Sequence, residues 1–114
     1  MRVLVIGAGR GGASVIRQLQ KNPNLSILTV DPRQEPYAVQ QGAIERVDIQ
    51  EVFTPLTLDY ILEQAEPDLV LIATSTQDLG LGDAPGMDIL AQSLREELAA
   101  LSEAPVIEVA RHIR

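Results

Sequence analysis

Four glycines crowd into six positions, Gly7, Gly9, Gly11 and Gly12, directly after the apolar run Val3–Ile6. The spacing Gly7-x-Gly9-x-x-Gly12 strips side chains from a strand-to-helix corner, and the chemistry it suits is close contact with a pyrophosphate. The first glycine permits the turn, the second lets phosphates touch the backbone, and the third lets the helix pack on the strand. Behind them, the N–H groups and partial positive charge of a helix start attract the anion. Ala8 and Arg10 complete the loop, with Arg10 facing either the pyrophosphate or water. Asp31 closes the second apolar run, Leu25–Val30, and stands nineteen residues beyond Gly12. A carboxylate that accepts hydrogen bonds from an adenosine ribose is expected about 20 residues on. Such a carboxylate repels a 2′-phosphate, so NAD or NADH is favoured over NADP, with an adenine nucleotide the less expected ligand. Pro32 and Arg33 follow, and Arg33 has two readings: a solvated loop charge, or a partner for a 2′-phosphate or adenine ring.

A second candidate region is "ATSTQD", Ala73 to Asp78. Ligands of open parallel sheets sit beyond the carboxyl ends of strands, at the switch point between the first strand and the one that ends here. Thr74, Ser75 and Thr76 offer hydroxyls to a ribose or phosphate, or else cap a turn.

These residues need a scaffold, and the hydrophobic periods describe one. Val3–Ile6 is short, rich in β-branched residues and without alternation, as a central parallel strand covered on both faces should be. From Ala13 onward Val15, Ile16 and Leu19 follow a helical period that closes at Asn22-Pro23-Asn24. A short helix is expected over about 34–41, ending at Gly42, and "AIERVDI", Ala43 to Ile49, reads as a weak third strand at the sheet edge. Thr54 and Pro55 then cap a helix carrying Leu58, Ile61, Leu62 and Ala65, which Pro67 terminates. Asp68 to Ala73 is the clearest buried strand. A loop over Asp78 to Gly86, a helix over Met87 to Leu101 with Leu90, Leu94, Leu98 and Leu101 on one face, and a strand over Val106 to Ala110 complete the chain, before the tail "RHIR". Strands alternating with helices predict a single compact α/β domain: a three-layer αβα, doubly wound, mostly parallel sheet of Rossmann-like form.

Composition narrows the partners. With nine Lys and Arg against sixteen Asp and Glu, the chain of 114 residues carries a net charge of −7. It repels nucleic acid and anionic membranes at long range, so an anionic ligand has to be held locally. The absence of cysteine excludes disulfides, thiolate metal sites and cysteine nucleophiles. Neither a signal-peptide core nor a membrane-spanning run is present, which predicts a cytoplasmic protein with no direct membrane insertion. Catalytic constellations are lacking. The single histidine, His112, sits in the tail, and Asp48, Asp78, Asp83 and Asp88 show no spacing that dictates metal or acid–base chemistry. A sensor is therefore expected before an enzyme.

"MRVLVIGAGRGGASVIRQL", "LTVD", "PDLVLIATSTQD" and "APVIEVAR" together resemble the N-terminal nucleotide-binding domain of Trk potassium-uptake regulators, the TrkA-N or regulator-of-potassium-conductance fold. The resemblance covers most of the chain. It implies NAD(H) held by Gly7, Gly9, Gly12 and Asp31, with Thr74, Ser75 and Asp78 lining the site. It also implies Asp48 near the adenine, where Val47-Asp48 replaces the family's Gly-Asp pair, and homodimers that act on a membrane cation transporter or channel subunit. The same glycine loop resembles the N-terminal halves of saccharopine- and homoserine-type dehydrogenases, which makes a split or truncated oxidoreductase the alternative. A methyltransferase is disfavoured, because nothing after "VIEVA" supplies the antiparallel strands of that fold.

Overall fold

Val3, Leu4, Val5 and Ile6 are all buried, and their side chains divide alternately between two cores. Only a strand sandwiched between two helical layers can bury every residue in this way. The computed structural model describes residues 1–54, 56–74 and 87–109, and in it this strand is β1 (Arg2–Ile6). Beside it lie β2 (Ser26–Val30) and β3 (Leu69–Ile72), with β4 (Val106–Glu108) outside β3, in the order β2-β1-β3-β4. All three pairings are parallel. Ile6 stands level with Val30 on one side and Ile72 on the other, so three strands release their carboxyl ends at one height. The chain leaves β1 for one side of the sheet and later returns to the other, which opens a crevice between the segments that follow β1 and β3.

The helices cover both faces. Ala13 and Ile16 of α1 (Arg10–Leu19) and Ala38 of α2 (Tyr37–Gln40) pack with Val3 and Val5. Leu58, Ile61 and Ala65 of α3 (Leu58–Ala65) join Leu94 and Leu98 of α4 (Met87–Leu101) over Leu4 and Ile6. The expected doubly wound, three-layer α/β architecture is the observed one, and the bounds expected for α4 match those found.

Two expectations fail locally. Ala43 to Ile49 does not form a third strand; its contact with the sheet is a single parallel bridge between Ile49 and Val30. Ile49 donates to the Thr29 carbonyl and accepts from the Asp31 N–H, but the next outward group of β2, the Thr29 N–H, donates to the Asp48 carboxylate at 2.9 Å. A side chain has taken the hydrogen bond that a further strand residue would make, and the ladder stops there. In the other case, α3 starts at Leu58 with Thr57 in the N-cap position, rather than at Thr54. The Thr54 carbonyl accepts from the Thr57 and Leu58 N–H groups, so it closes a preceding turn; Pro55 lies outside the described residues.

Leu94 and Leu98 of the α4 stripe belong to this core. Leu98 is fully buried, whereas Leu101 is exposed. Leu98→Ala is therefore expected to lower stability by about 2–5 kcal/mol in urea unfolding, and Leu101→Ala by less than about 0.5 kcal/mol.

Candidate functional site

The loop between β1 and α1 is held by backbone geometry that only glycine permits. Gly7 adopts φ +101°, and a Cβ there would come within 2.6 Å of the Thr74 Cγ2. A Cβ on Gly12 would overlap the Gly7 carbonyl. The first glycine thus makes the turn and lets β1 approach the end of β3, while Gly12 lets α1 lie on the corner. Both are roles that the spacing implies. Three hydrogen bonds fix the loop from outside: the Gly7 N–H to the Val30 carbonyl at 2.8 Å, the Ala8 N–H to the Asp31 Oδ2 at 2.9 Å, and the Ala38 N–H to the Ala8 carbonyl at 2.9 Å.

Beyond the loop, α1 opens without a side-chain cap. Gly9 is its N-cap, no acidic residue stands in the first turn, and the first helical bond is from the Ala13 N–H to the Gly9 carbonyl. The N–H groups before it have no acceptor within the helix, and the helix's partial positive charge lies behind them. Arg10 lies at the same point, its guanidinium 5.0 Å from the centre of the Tyr37 ring. In a chain of net charge −7 this is local positive potential, as an anionic ligand requires.

Asp31 is buried, its side chain entirely so. Burial pushes its carboxyl upward, but hydrogen bonds from the Arg33 side chain and from the Ala8 and Arg33 N–H groups, together with the Arg33 charge, outweigh that and hold it below the ordinary value of 3.8. Arg33 is thus no solvated loop charge. Its Nε donates to Oδ1 and its Nη2 to Oδ2, both at 2.9 Å.

Thr74 lies two residues beyond the end of β3, on the other side of β1 from Asp31. It is buried, and its Oγ1 has no hydrogen-bond partner among the described residues. An orphan buried hydroxyl is costly unless something outside the chain completes it. Arg95 of α4 donates from Nη2 to the Thr74 carbonyl at 3.1 Å and brings a cation to this strand end. The sequence reading passed over Arg95, although it is the only Lys or Arg between Arg46 and Arg111. Asp48 is turned to Thr29, whose N–H and hydroxyl both donate to its Oδ2. Ser75, Thr76, Asp78, the 80–86 loop and His112 lie outside the described residues.

A cleft of about 450 Å³ opens at the other end of the sheet, between Leu62, Pro67, Leu101 and Ala104. Asp59, Glu63, Glu66 and Glu103 line it, with no basic side chain among its lining residues. A pyrophosphate is disfavoured among these carboxylates, whereas the glycine loop has the start of α1 and Arg10 beside it. Among the described residues no cluster suits a metal ion, and no helix is long and apolar enough to cross a membrane.

Comparison with known proteins agrees with this geometry. Residues 1–113 match the GFO/IDH/MocA family model, an oxidoreductase family with an NAD-binding Rossmann fold. No curated protein matches the chain. Among solved structures, UDP-glucuronic acid 4-epimerase from Bacillus cereus in complex with NAD superposes with a TM-score of 0.59 at 20% identity, over 95% of this chain and 39% of the epimerase. That likeness is one of fold, and the chain spans about two fifths of the epimerase's length.

The buried groups of this site predict two stability effects. An Asp31 carboxyl held below 3.8 stabilises the fold fully above that value, and the contribution is lost as pH falls through its lower folded-state pKa. Below about pH 4 the melting temperature of the native chain should therefore drop more steeply than that of Asp31→Asn. Thr74→Val replaces the orphan Oγ1 with a methyl of similar size and should leave the melting temperature equal or raised.

Proposed function

The chain belongs to the GFO/IDH/MocA oxidoreductase family with an NAD-binding Rossmann fold, and we propose that it is the dinucleotide-binding half of such an oxidoreductase, completed by a substrate-binding partner or further domain. The observation that carries this reading is the corner itself: Gly7 and Gly12 at approaches that no Cβ would allow, beside a buried, unpartnered Thr74 hydroxyl. The residues fit NAD(H). When bound, the nicotinamide ring supplies hydride transfer. The uncapped start of α1 and the N–H groups after Gly9 would hold the pyrophosphate. Asp31 would accept from the adenosine ribose, and Thr74 Oγ1 would complete the crevice on the β3 side. Asp31 also holds the Ala8 N–H, so the ribose acceptor and the phosphate loop are positioned by one carboxylate.

The sensor reading, in which a homodimer transmits dinucleotide binding to a cation transporter, rests on the resemblance to Trk regulators. The family match favours the oxidoreductase half. Leu94 and Leu98, two leucines of the stripe offered to a second subunit, are buried in the chain's own core.

Titration of the purified chain with NADH, followed by nicotinamide fluorescence, should give saturable binding and no NADH consumption by this chain alone. Asp31→Asn keeps an acceptor for the Ala8 N–H but loses the charge. It should weaken NADH binding roughly tenfold to a hundredfold, the worth of a hydrogen bond to a charged group. A chain that is folded yet binds neither NADH nor NAD would refute the reading.

A further inference from the structure

Arg95 is the one cation of α4, and it stands alone in the acidic stretch from Val47 to Ala110. Its neighbours three and four positions away on the helix, Ala91, Gln92, Leu98 and Ala99, are uncharged. The helix therefore offers it none of the ion pairs that such spacing can provide. Among the described residues its partner is the neutral Thr74 carbonyl, to which Nη2 donates at 3.1 Å. The residue is half-buried, and a partly desolvated charge without a counter-ion carries a cost that a bound anion would offset. A guanidinium presents its N–H donors as a planar fork. One bond from Nη2 occupies one of its two double-pronged edges and leaves the other, a match for the paired oxygens of a carboxylate.

The place of Arg95 in the fold gives that edge a use. Thr74, which it holds, is the residue against which Gly7 turns, and the buried Thr74 Oγ1 likewise lacks a partner among the described residues. Leu94 and Leu98 of α4 pack over Leu4 and Ile6, on the opposite face of the sheet from α1, which packs with Val3 and Val5. The start of α1 and Arg10 thus serve the glycine corner from one face, and Arg95 reaches the neighbouring strand end from the other. We propose that Arg95 anchors a carboxylate of the substrate at the carboxyl end of β3, beside the dinucleotide. The proposal rests on the reading of the chain as the cofactor half of an oxidoreductase. Hydride transfer requires substrate and nicotinamide to meet in the crevice beyond the strand ends. A chain of net charge −7 repels a carboxylate at long range, and a cation at the seat reverses that locally. The two-pronged edge then fixes the direction in which the carboxylate, and the substrate behind it, lies.

The test follows the Arg95 Nε–H resonance of the NADH-saturated native chain in ¹⁵N-resolved spectra. The chain is titrated at constant ionic strength with acetate, with acetamide as its neutral isostere, and with inorganic phosphate as a competing anion. Acetate should shift the resonance saturably, acetamide should leave it unmoved, and phosphate should bind more weakly than acetate. This readout does not depend on any variant folding. Arg95→Gln keeps a donor for the Thr74 carbonyl and loses the charge and the fork. It should weaken acetate binding, read from the Thr74 amide, roughly tenfold to a hundredfold, the scale of one charge-assisted hydrogen bond, and leave the NADH dissociation constant unchanged. Arg95→Lys, which restores the charge without the fork, should lie between. An Nε–H resonance unmoved by acetate, an equal response to acetamide, or tighter binding of phosphate would overturn the proposal while leaving dinucleotide binding intact. So would a loss of NADH affinity in a folded Arg95→Gln chain, which would give the cation to the cofactor. A native chain that binds no NADH would instead overturn the reading on which the proposal rests, and the proposal with it.

Discussion

The hydrogen bond from the Ala8 N–H to the Asp31 carboxylate joins the ends of the two strands that build the site. It crosses from the loop after β1 to the residue after β2, inside a layer where neither group meets water, and an unpaired donor or carboxylate there would cost on the order of 1–3 kcal/mol or more. The remainder of the corner is arranged around it. The Gly7 N–H continues the ladder to Val30, the Ala8 carbonyl anchors the start of α2, and Gly12 closes α1 onto the turn. The corner leaves no room for a side chain, because a Cβ on Gly7 would clash with Thr74 and one on Gly12 with the Gly7 carbonyl. The geometry of the corner is therefore set by the folded sheet.

A strongly acidic chain holds an anion site by segregating its charges. Arg10, Arg33 and Arg95 converge on the carboxyl end of the sheet. Four carboxylates, of which Glu66 pairs with Arg2 at 3.6 Å, line the cleft at the opposite end. Both the helix start and the arginines act within a few ångströms, where screening by salt and repulsion from distant acids matter least. The net charge of −7 is thus compatible with a dinucleotide held locally.

Much of this was legible before any coordinates. The glycine spacing identified the corner, the unalternating run Val3–Ile6 identified the central strand, and the leucine period of α4 identified a core helix. Residue identity and local spacing are sufficient for such features. The missing third strand was not legible, since it depends on the Asp48 side chain taking the Thr29 N–H, a competition between side chain and backbone that propensity does not register. Nor was the start of α3, where Thr57 rather than Thr54 occupies the cap. Arg33 was visible as a charge near Asp31, but its bidentate grip is a fact of rotamer and burial. Arg95 was visible as an isolated cation in an acidic stretch; its link to Thr74 spans 21 residues and required the fold.

The most direct test of the central claim, that the β1–α1 corner with Asp31 is the dinucleotide seat, is an NADH titration followed by backbone ¹H–¹⁵N correlation spectra of the native chain. The account predicts that the largest shifts fall on the amides of Ala8, Gly9, Gly11, Gly12, Arg33 and Thr74, with Leu62 and Glu103 at the far cleft unmoved. Shifts concentrated at that cleft, or none at the glycine corner under saturating NADH, would contradict it.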